Sequence, residues 1–293
     1  MGMIKEDALT EQSIYRSAAG ERAVMALYDR LLARWPVPHS TAELATRHGS
    51  AFVIASGAAD SPPLVLLHGA GTNSTMWGGD VADFTPRYRV LAVDLPGEPG
   101  KSAPVRLPWD GPAHAEWLGD VFAALELESA PIIGLSQGAW VALKFATAEP
   151  GRVSALSLLS PGGIVPDKAG FLLRVLPLLL LGRWGKRRIN RLVLGGQAVP
   201  AEVDEAMTLL STHFKPRIGK LPIFTDAELR RLTMPVQLVM GGRDAMRDAG
   251  AIADRMRRLL PNLVATIIPE AGHAIVGAKT RVLSFLDSAL ADR

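Results

Sequence analysis

Three polar residues in this chain stand where apolar runs empty into glycine-rich turns. Ser136 is the centre of Pro131-Ile132-Ile133-Gly134-Leu135-Ser136-Gln137-Gly138-Ala139-Trp140, an apolar run followed by Gly-Leu-Ser-Gln-Gly and then by helix-forming residues. This is the strand–nucleophile–helix pattern. A serine on so tight a turn is held in a strained backbone conformation with its hydroxyl in the open. Gly134 and Gly138 leave room for the strand and helix to approach. The helix N-terminus then aims unpaired N–H groups at developing negative charge.

A serine hydroxyl is a weak nucleophile and needs a base within hydrogen-bond reach, itself oriented by an acid. Asp244 follows the apolar run Val236–Met240 through Gly241-Gly242-Arg243, and His273 follows Leu263–Ile268 through Pro269-Glu270-Ala271-Gly272. Taken singly, Asp244 reads as a turn aspartate and His273 as a capping residue. In the order Ser…Asp…His, each on a loop after a strand, they read as a catalytic triad. Asp167, Asp226 and Asp248 are the rival acids; Asp248 reads as a helix start, and the other two lie in or beside a helical insertion. Two donors are needed for an oxyanion. The backbone N–H of Gln137, next to the serine, is one. The other is assigned to Ala70 in His68-Gly69-Ala70-Gly71, where glycines let the backbone turn inward. His68 reads as a structural hydrogen-bonder rather than a second base.

Positioning these groups takes a sheet. Leu64–Leu67 is a continuous apolar run, as expected of a strand buried on both faces, and Arg89–Asp94, Pro131–Leu135, Val153–Leu159, Val236–Met240 and Leu263–Ile268 read as further, largely apolar strands. Helices are expected over Ala113–Leu127, Gln137–Glu149, Asp248–Leu260 and Ala278–Leu290, so strands and helices alternate as in a doubly wound parallel sheet of α/β class. A helix over Thr10–Trp35 and a hairpin within Ala42–Ser56, turned at His48-Gly49-Ser50, precede it. The alternation breaks from Ile164 to Thr233, a helical, leucine-rich, basic stretch. Residues 1–163 and 234–293 therefore read as two parts of one core, and 164–233 as a helical cap over the strand ends where ligands bind.

Composition narrows the partners. The chain has 293 residues, 48% of them hydrophobic, with a formal net charge of +3 and no cysteine. Thiol catalysis and cysteine–metal sites are excluded. No basic stripe interleaved with aromatics points to nucleic acid. His39, His48, His114 and His213 lack metal-ligand spacing and read as surface or capping residues. The first residues carry neither a signal-peptide core nor a myristoylation pattern, and no apolar run reaches the ~20 residues of a membrane span. A cytoplasmic protein without stable membrane insertion is expected.

The motifs His68-Gly69-Ala70-Gly71, Asp94-Leu95-Pro96-Gly97, Gly134-Leu135-Ser136-Gln137-Gly138, Gly242-Arg243-Asp244 and Gly272-His273 resemble those of the α/β-hydrolase fold serine hydrolases. The likeness runs from about Ala51 to Leu290. Leu66-Leu67-His68-Gly69 with Met76-Trp77, then Glu116-Trp117-Leu118 and a leading helix, resemble bacterial carboxylesterases of the naproxen-ester-cleaving type. The resemblance implies an eight-stranded sheet with a lid, a serine carboxylic-ester hydrolase acting through an acyl-enzyme on small apolar esters, and no cofactor. A carbon–carbon bond hydrolase or a cofactor-free perhydrolase would use the same triad. A small-molecule receptor of this fold with slow turnover is the reading from another class. A serine at 136 excludes the dehalogenase and epoxide hydrolase mechanisms, which need a carboxylate there.

Two stretches fall outside this pattern. Gly97-Glu98-Pro99-Gly100-Lys101-Ser102 ends like a phosphate-binding loop, but Leu95 replaces its first glycine and Pro104 forbids an early helix. It is also longer than the loop usual in the family. Phe171–Leu181 is apolar, broken by Pro177 and followed by Arg183, Lys186, Arg187, Arg188 and Arg191. Either its face of Leu172, Val175, Leu176 and Leu179 roofs the pocket, joining Trp77 among the substrate-binding residues, or the segment lies on an anionic interface.

Overall fold

We describe the protein from a computed structural model covering residues 13–197, 200–217, 219–275 and 277–291. The first helix, α1 (Ala18–Ala33), starts later than its apolar periodicity predicts. Ser17 caps it, its hydroxyl accepting from Gly20 N at 3.0 Å. Ahead of the cap, Tyr15 is extended and bridges Phe214. The part of the expected helix before residue 13 lies outside the described residues.

Strands β1 (His39–Thr46) and β2 (Gly49–Ser56) form an antiparallel hairpin in which Thr46 pairs with Gly49. The turn is therefore Arg47-His48, and both strands are longer than expected. Gly49, at φ 103°, takes up the reversal. After β3 (Pro63–Leu67), a 3-10 turn (Ser74–Gly79) and the short α2 (Val81–Phe84) intervene, neither of which the sequence reading anticipated. Then come β4 (Arg89–Val93), α3 (Ala113–Ala124), β5 (Ala130–Leu135), α4 (Gln137–Ala148) and β6 (Val153–Leu159). The insertion carries α5 (Gly170–Leu179), α6 (Gly182–Val193), α7 (Ala201–His213) and α8 (Asp226–Leu229). The core resumes with β7 (Val236–Gly241), α9 (Ala249–Leu259), β8 (Val264–Ile268) and α10 (Lys279–Leu290).

The eight strands form one sheet in the order β1-β2-β4-β3-β5-β6-β7-β8, parallel from β4 onward. Alternation along β3 shows why its sequence is uniformly apolar. Val65 and Leu67 join Trp117, Phe122 and Phe145 of α3 and α4 on one face of the sheet. Leu64 and Leu66 join Tyr28, Phe84 and Phe285 of α1, α2 and α10 on the other. Each such side chain contributes roughly 1.5–3 kcal/mol by leaving water, so a polar residue has no favourable position in the strand. A parallel sheet presents all its strand C-termini at one edge, and the loops after β3, β5, β7 and β8 meet there.

The insertion is fastened at several points. Phe224 N donates to Gly163 O at 2.8 Å, and Trp140 Nε1 of α4 donates to Pro222 O at 3.0 Å. On another side, Ile14, Tyr15, Val24 and Leu27 pack against Leu210 and Phe214 of the α7 region. No helix among the described residues is long and apolar enough to cross a membrane.

Candidate active site

Ser136 sits between β5 and α4 with φ 53° and ψ −108°, a left-handed conformation that a non-glycine residue adopts only under constraint. The constraint comes from both flanks. A Cβ on Gly134 would lie 2.6 Å from Ala139 Cα, and one on Gly138 would collide with the carbonyl oxygens of Leu67 and His68. Ser136 N is held by Leu159 O at 2.8 Å, tying the turn to the neighbouring strand β6.

The other two polar residues converge on it. His273 Nε2 lies 2.8 Å from Ser136 Oγ, and His273 Nδ1 lies 2.8 Å from Asp244 Oδ2. The network requires the tautomer in which Nδ1–H donates to the carboxylate and Nε2 accepts from the serine. All three residues are buried. Asp244 Oδ1 accepts from Met246 N at 2.7 Å and Arg247 N at 2.9 Å. Three hydrogen bonds thus fix the carboxylate and leave it little freedom to rotate. The rival acids are engaged elsewhere. Asp167 pairs with the buried Arg247, Asp226 pairs with Arg255 at 2.6 Å, and Asp248 caps α9 by accepting from Ala251 N at 3.0 Å.

The histidine loop leans on the insertion. His273 N donates to Val193 O, at the end of α6, at 2.7 Å. Gly272 is required there, because its Cβ would fall on Gly195 N and on the carbonyl carbon of Leu194.

Of the two residues expected to supply oxyanion donors, Gln137 is the first residue of α4 and Ala70 is exposed at the head of its loop. Neither backbone N–H has a protein acceptor among the described residues. Gly71 N–H is occupied, donating to Glu98 Oε2 at 2.6 Å. Glu98 Oε1 in turn accepts from the Gln137 side-chain amide at 3.0 Å. This buried carboxylate links the loop after β3 to the residue after Ser136. Burial pushes its pKa from 4.5 up to about 7, against the pull of those two hydrogen bonds and of Arg106 and Arg217. Sequence reasoning missed it. The one signal was an acidic residue inside a turn longer than the family pattern.

The rest of that turn is structural, not a phosphate cradle. Lys101 pairs with Asp29 at 2.6 Å, and Ser102 Oγ donates to Asp94 O at 2.6 Å. His68 is buried, its Nδ1 2.8 Å from Gly69 O, while Leu95 N donates to its Nε2 at 2.8 Å. Burial lowers its pKa and keeps it neutral, as a structural hydrogen-bonder should be. His114 departs from the expected surface placement. It is buried, stacked on Trp109 at 5.0 Å, and burial pushes its pKa down to about 4.

The expected apolar roof is not what the structure shows. Leu176 and Leu179 are more than half exposed and Val175 is half-buried; the Leu172 side chain lies outside the described residues. Leu176 and Leu179 do share a helical face, but that face turns to solvent. Trp77 is a core residue, packed with Tyr28, Trp35 and Phe84 beneath the sheet rather than open to a ligand. A cavity of about 400 Å³ lies between α5, the end of α6 and the loop of Asp244, lined by Lys168, Phe171, Arg174, Leu192 and Arg243 among others. It reaches Asp244 and not Ser136.

Comparison with known proteins agrees with this architecture. The model of the alpha/beta hydrolase family matches residues 64–282. A Bacillus subtilis protein described as the uncharacterized carboxylesterase nap is 34% identical over 257 residues, covering 85% of each chain. Carboxylesterase YbfK of the same organism is 32% identical over 281 residues, covering 88% of this chain and 92% of its own. The crystal structure of naproxen esterase (carboxylesterase NP) from Bacillus subtilis superposes with a TM-score of 0.81 at 29% identity, over 96% of this chain and all of that one.

Proposed function

Because this chain belongs to the alpha/beta hydrolase family, we propose that it hydrolyses carboxylic esters of small apolar molecules, with Ser136, His273 and Asp244 as its triad. The observation that carries this reading is the unbroken relay from Asp244 Oδ2 through the imidazole to Ser136 Oγ, 2.8 Å at each step. The names of the Bacillus subtilis relatives support the ester as the bond attacked.

Ser136 Oγ attacks the ester carbonyl carbon while His273 Nε2 takes its proton. Asp244 holds the imidazole in place and stabilises the imidazolium. The carbonyl oxygen becomes an oxyanion, for which the Ala70 and Gln137 N–H groups are the proposed donors; losing one such donor costs about 100- to 1000-fold. The carbon–oxygen bond to the alcohol then breaks, and His273 returns the proton to the leaving oxygen. Water, deprotonated by the same imidazole, attacks the acyl-enzyme, and collapse releases the acid and restores Ser136. Residues 164–233 act as the cap of this site, with Val193 O steadying the histidine loop. The lack of cysteine agrees with a reducing compartment, and the cytoplasm is the placement proposed.

Short p-nitrophenyl esters test the reading. Wild type should turn over continuously, and Ser136→Ala should lose activity by about 10⁴-fold or more while remaining folded. A fluorophosphonate should label Ser136 alone. A single burst without turnover would favour a receptor, and labelling of another serine would remove Ser136 as the nucleophile.

A further inference from the structure

The α5–α6 hairpin presents a surface that the catalytic reading does not use. Six of the twelve large hydrophobic side chains exposed among the described residues belong to it: Leu173, Leu176, Leu179, Leu180, Leu181 and Trp184. Leu180 is 87% exposed and Trp184 60%, so these are not residues half tucked into a core. Leu173, Leu176 and Leu180 follow one another at helical spacing and, with Leu179, line one face of α5 toward the tip. Apolar groups gathered this way mark a docking surface, where scattered ones would not.

Charge identifies what docks. Between Asp167 and Glu202 the sequence has no carboxylate side chain, but carries Lys168, Arg174 and five more cations from Arg183 to Arg191. Arg183, Arg187 and Arg191 recur every four residues on the exposed side of α6, with Trp184 and Arg188 beside them, while Gly185 and Asn190 are buried on the other side. Arg187 pairs with Asp204 at 3.2 Å. Arg174, Arg183, Arg188 and Arg191 have no ion pair among the described residues. Arg188 stacks over the Trp184 ring at 5.8 Å, placing a cation next to an indole.

We propose that this hairpin docks on the surface of an anionic phospholipid bilayer, its leucines and Trp184 entering the headgroup–acyl boundary while its arginines pair with lipid phosphates. An apolar tip flanked by arginine and tryptophan is the composition such a boundary selects. The ten residues of α5 extend only about 15 Å, half of the ~30 Å hydrocarbon layer, so the element lies on the membrane rather than across it. A second copy of the chain fits less well. Symmetric apposition of the two tips would bring their arginines together, and the hairpin itself has no carboxylate to answer them. The proposal does not depend on which bond the enzyme cleaves.

Co-sedimentation of the full chain tests it, with vesicles of phosphatidylcholine alone and of phosphatidylcholine and phosphatidylglycerol in equal parts. The wild type should pellet with the mixed vesicles, not with phosphatidylcholine, and should be released by high salt. In R183Q/R188Q the partition coefficient should fall by roughly fivefold for each cation removed. In L180S/W184S, which keeps every arginine, binding should also be lost. Thermal unfolding establishes that both variants are folded, as expected for side chains this exposed. Equal binding to both vesicle types, no binding to either, or unchanged binding by either variant would overturn the proposal. So would a dimer in sedimentation velocity that L180S/W184S dissolves, since the tip would then be a protein interface.

Discussion

Glu98 offers a measurement whose sign and approximate size follow from its burial. Its carboxylate is buried between Gly71 N and the Gln137 side chain, and its pKa rises from 4.5 to about 7 on folding because burial penalises the charged form. The folded protein therefore binds a proton that the unfolded chain has already released between those two values. The contribution of this group to stability is greatest below about pH 4.5, falls as pH rises toward 7, and is level above it. At 1.36 kcal/mol per pH unit, the whole change amounts to roughly 3 kcal/mol. Glu98→Gln removes the titration without removing the hydrogen bonds. The introduced amide's carbonyl oxygen still accepts from Gly71 N, and the Gln137 side chain turns over so that its own carbonyl accepts from the introduced NH2 group. Urea unfolding of both proteins at intervals from pH 5 to pH 8 gives the difference between their free energies. Other titrating groups are common to both and cancel. The mutant should gain on wild type as pH rises, by up to roughly 3 kcal/mol across the window. A difference that stays flat would mean that Glu98 ionises as it does in water, and that its burial between the two loops does not penalise the charge.

Two further substitutions probe the site. Asp244→Asn keeps an acceptor for Met246 N and Arg247 N but presents an N–H to His273, forcing the wrong tautomer; kcat on p-nitrophenyl esters should drop by about 10⁴-fold with little change in unfolding temperature. If Asp167→Asn or Asp226→Asn did that damage instead, the third member of the triad would be misassigned. Gly272→Ala adds a methyl where Gly195 N and the Leu194 carbonyl carbon already stand, so the histidine loop must back away from α6. Overpacking of this kind costs roughly 1–3 kcal/mol. The expected readouts are a lower unfolding temperature and a fall in kcat/KM, and a variant normal in both would show that the loop is not held against Val193.

What was legible in the chain depended on whether a feature is local. Ser136 announces itself because the elbow needs glycine on both sides within five residues, and a central strand such as β3 announces itself because burial on both faces makes its positions apolar. Asp244 and His273 share with Ser136 a loop at the C-terminal end of a parallel strand, a position readable without coordinates. Glu98 was invisible for the opposite reason. Its partners, Gly71 and Gln137, are distant in sequence, and nothing in a lone glutamate tells which amides it will meet. The face of α5 shows the same limit more sharply. Periodicity groups its leucines correctly, since that is a property of the helix alone. Which way the group faces depends on how α5 is rotated against its neighbours. Gly185 of α6, whose Cβ would strike the Leu178 carbonyl, brings the two helices into backbone contact on the buried side and so turns the leucines outward. The sequence carried that glycine too, but its meaning exists only once Leu178 is opposite it.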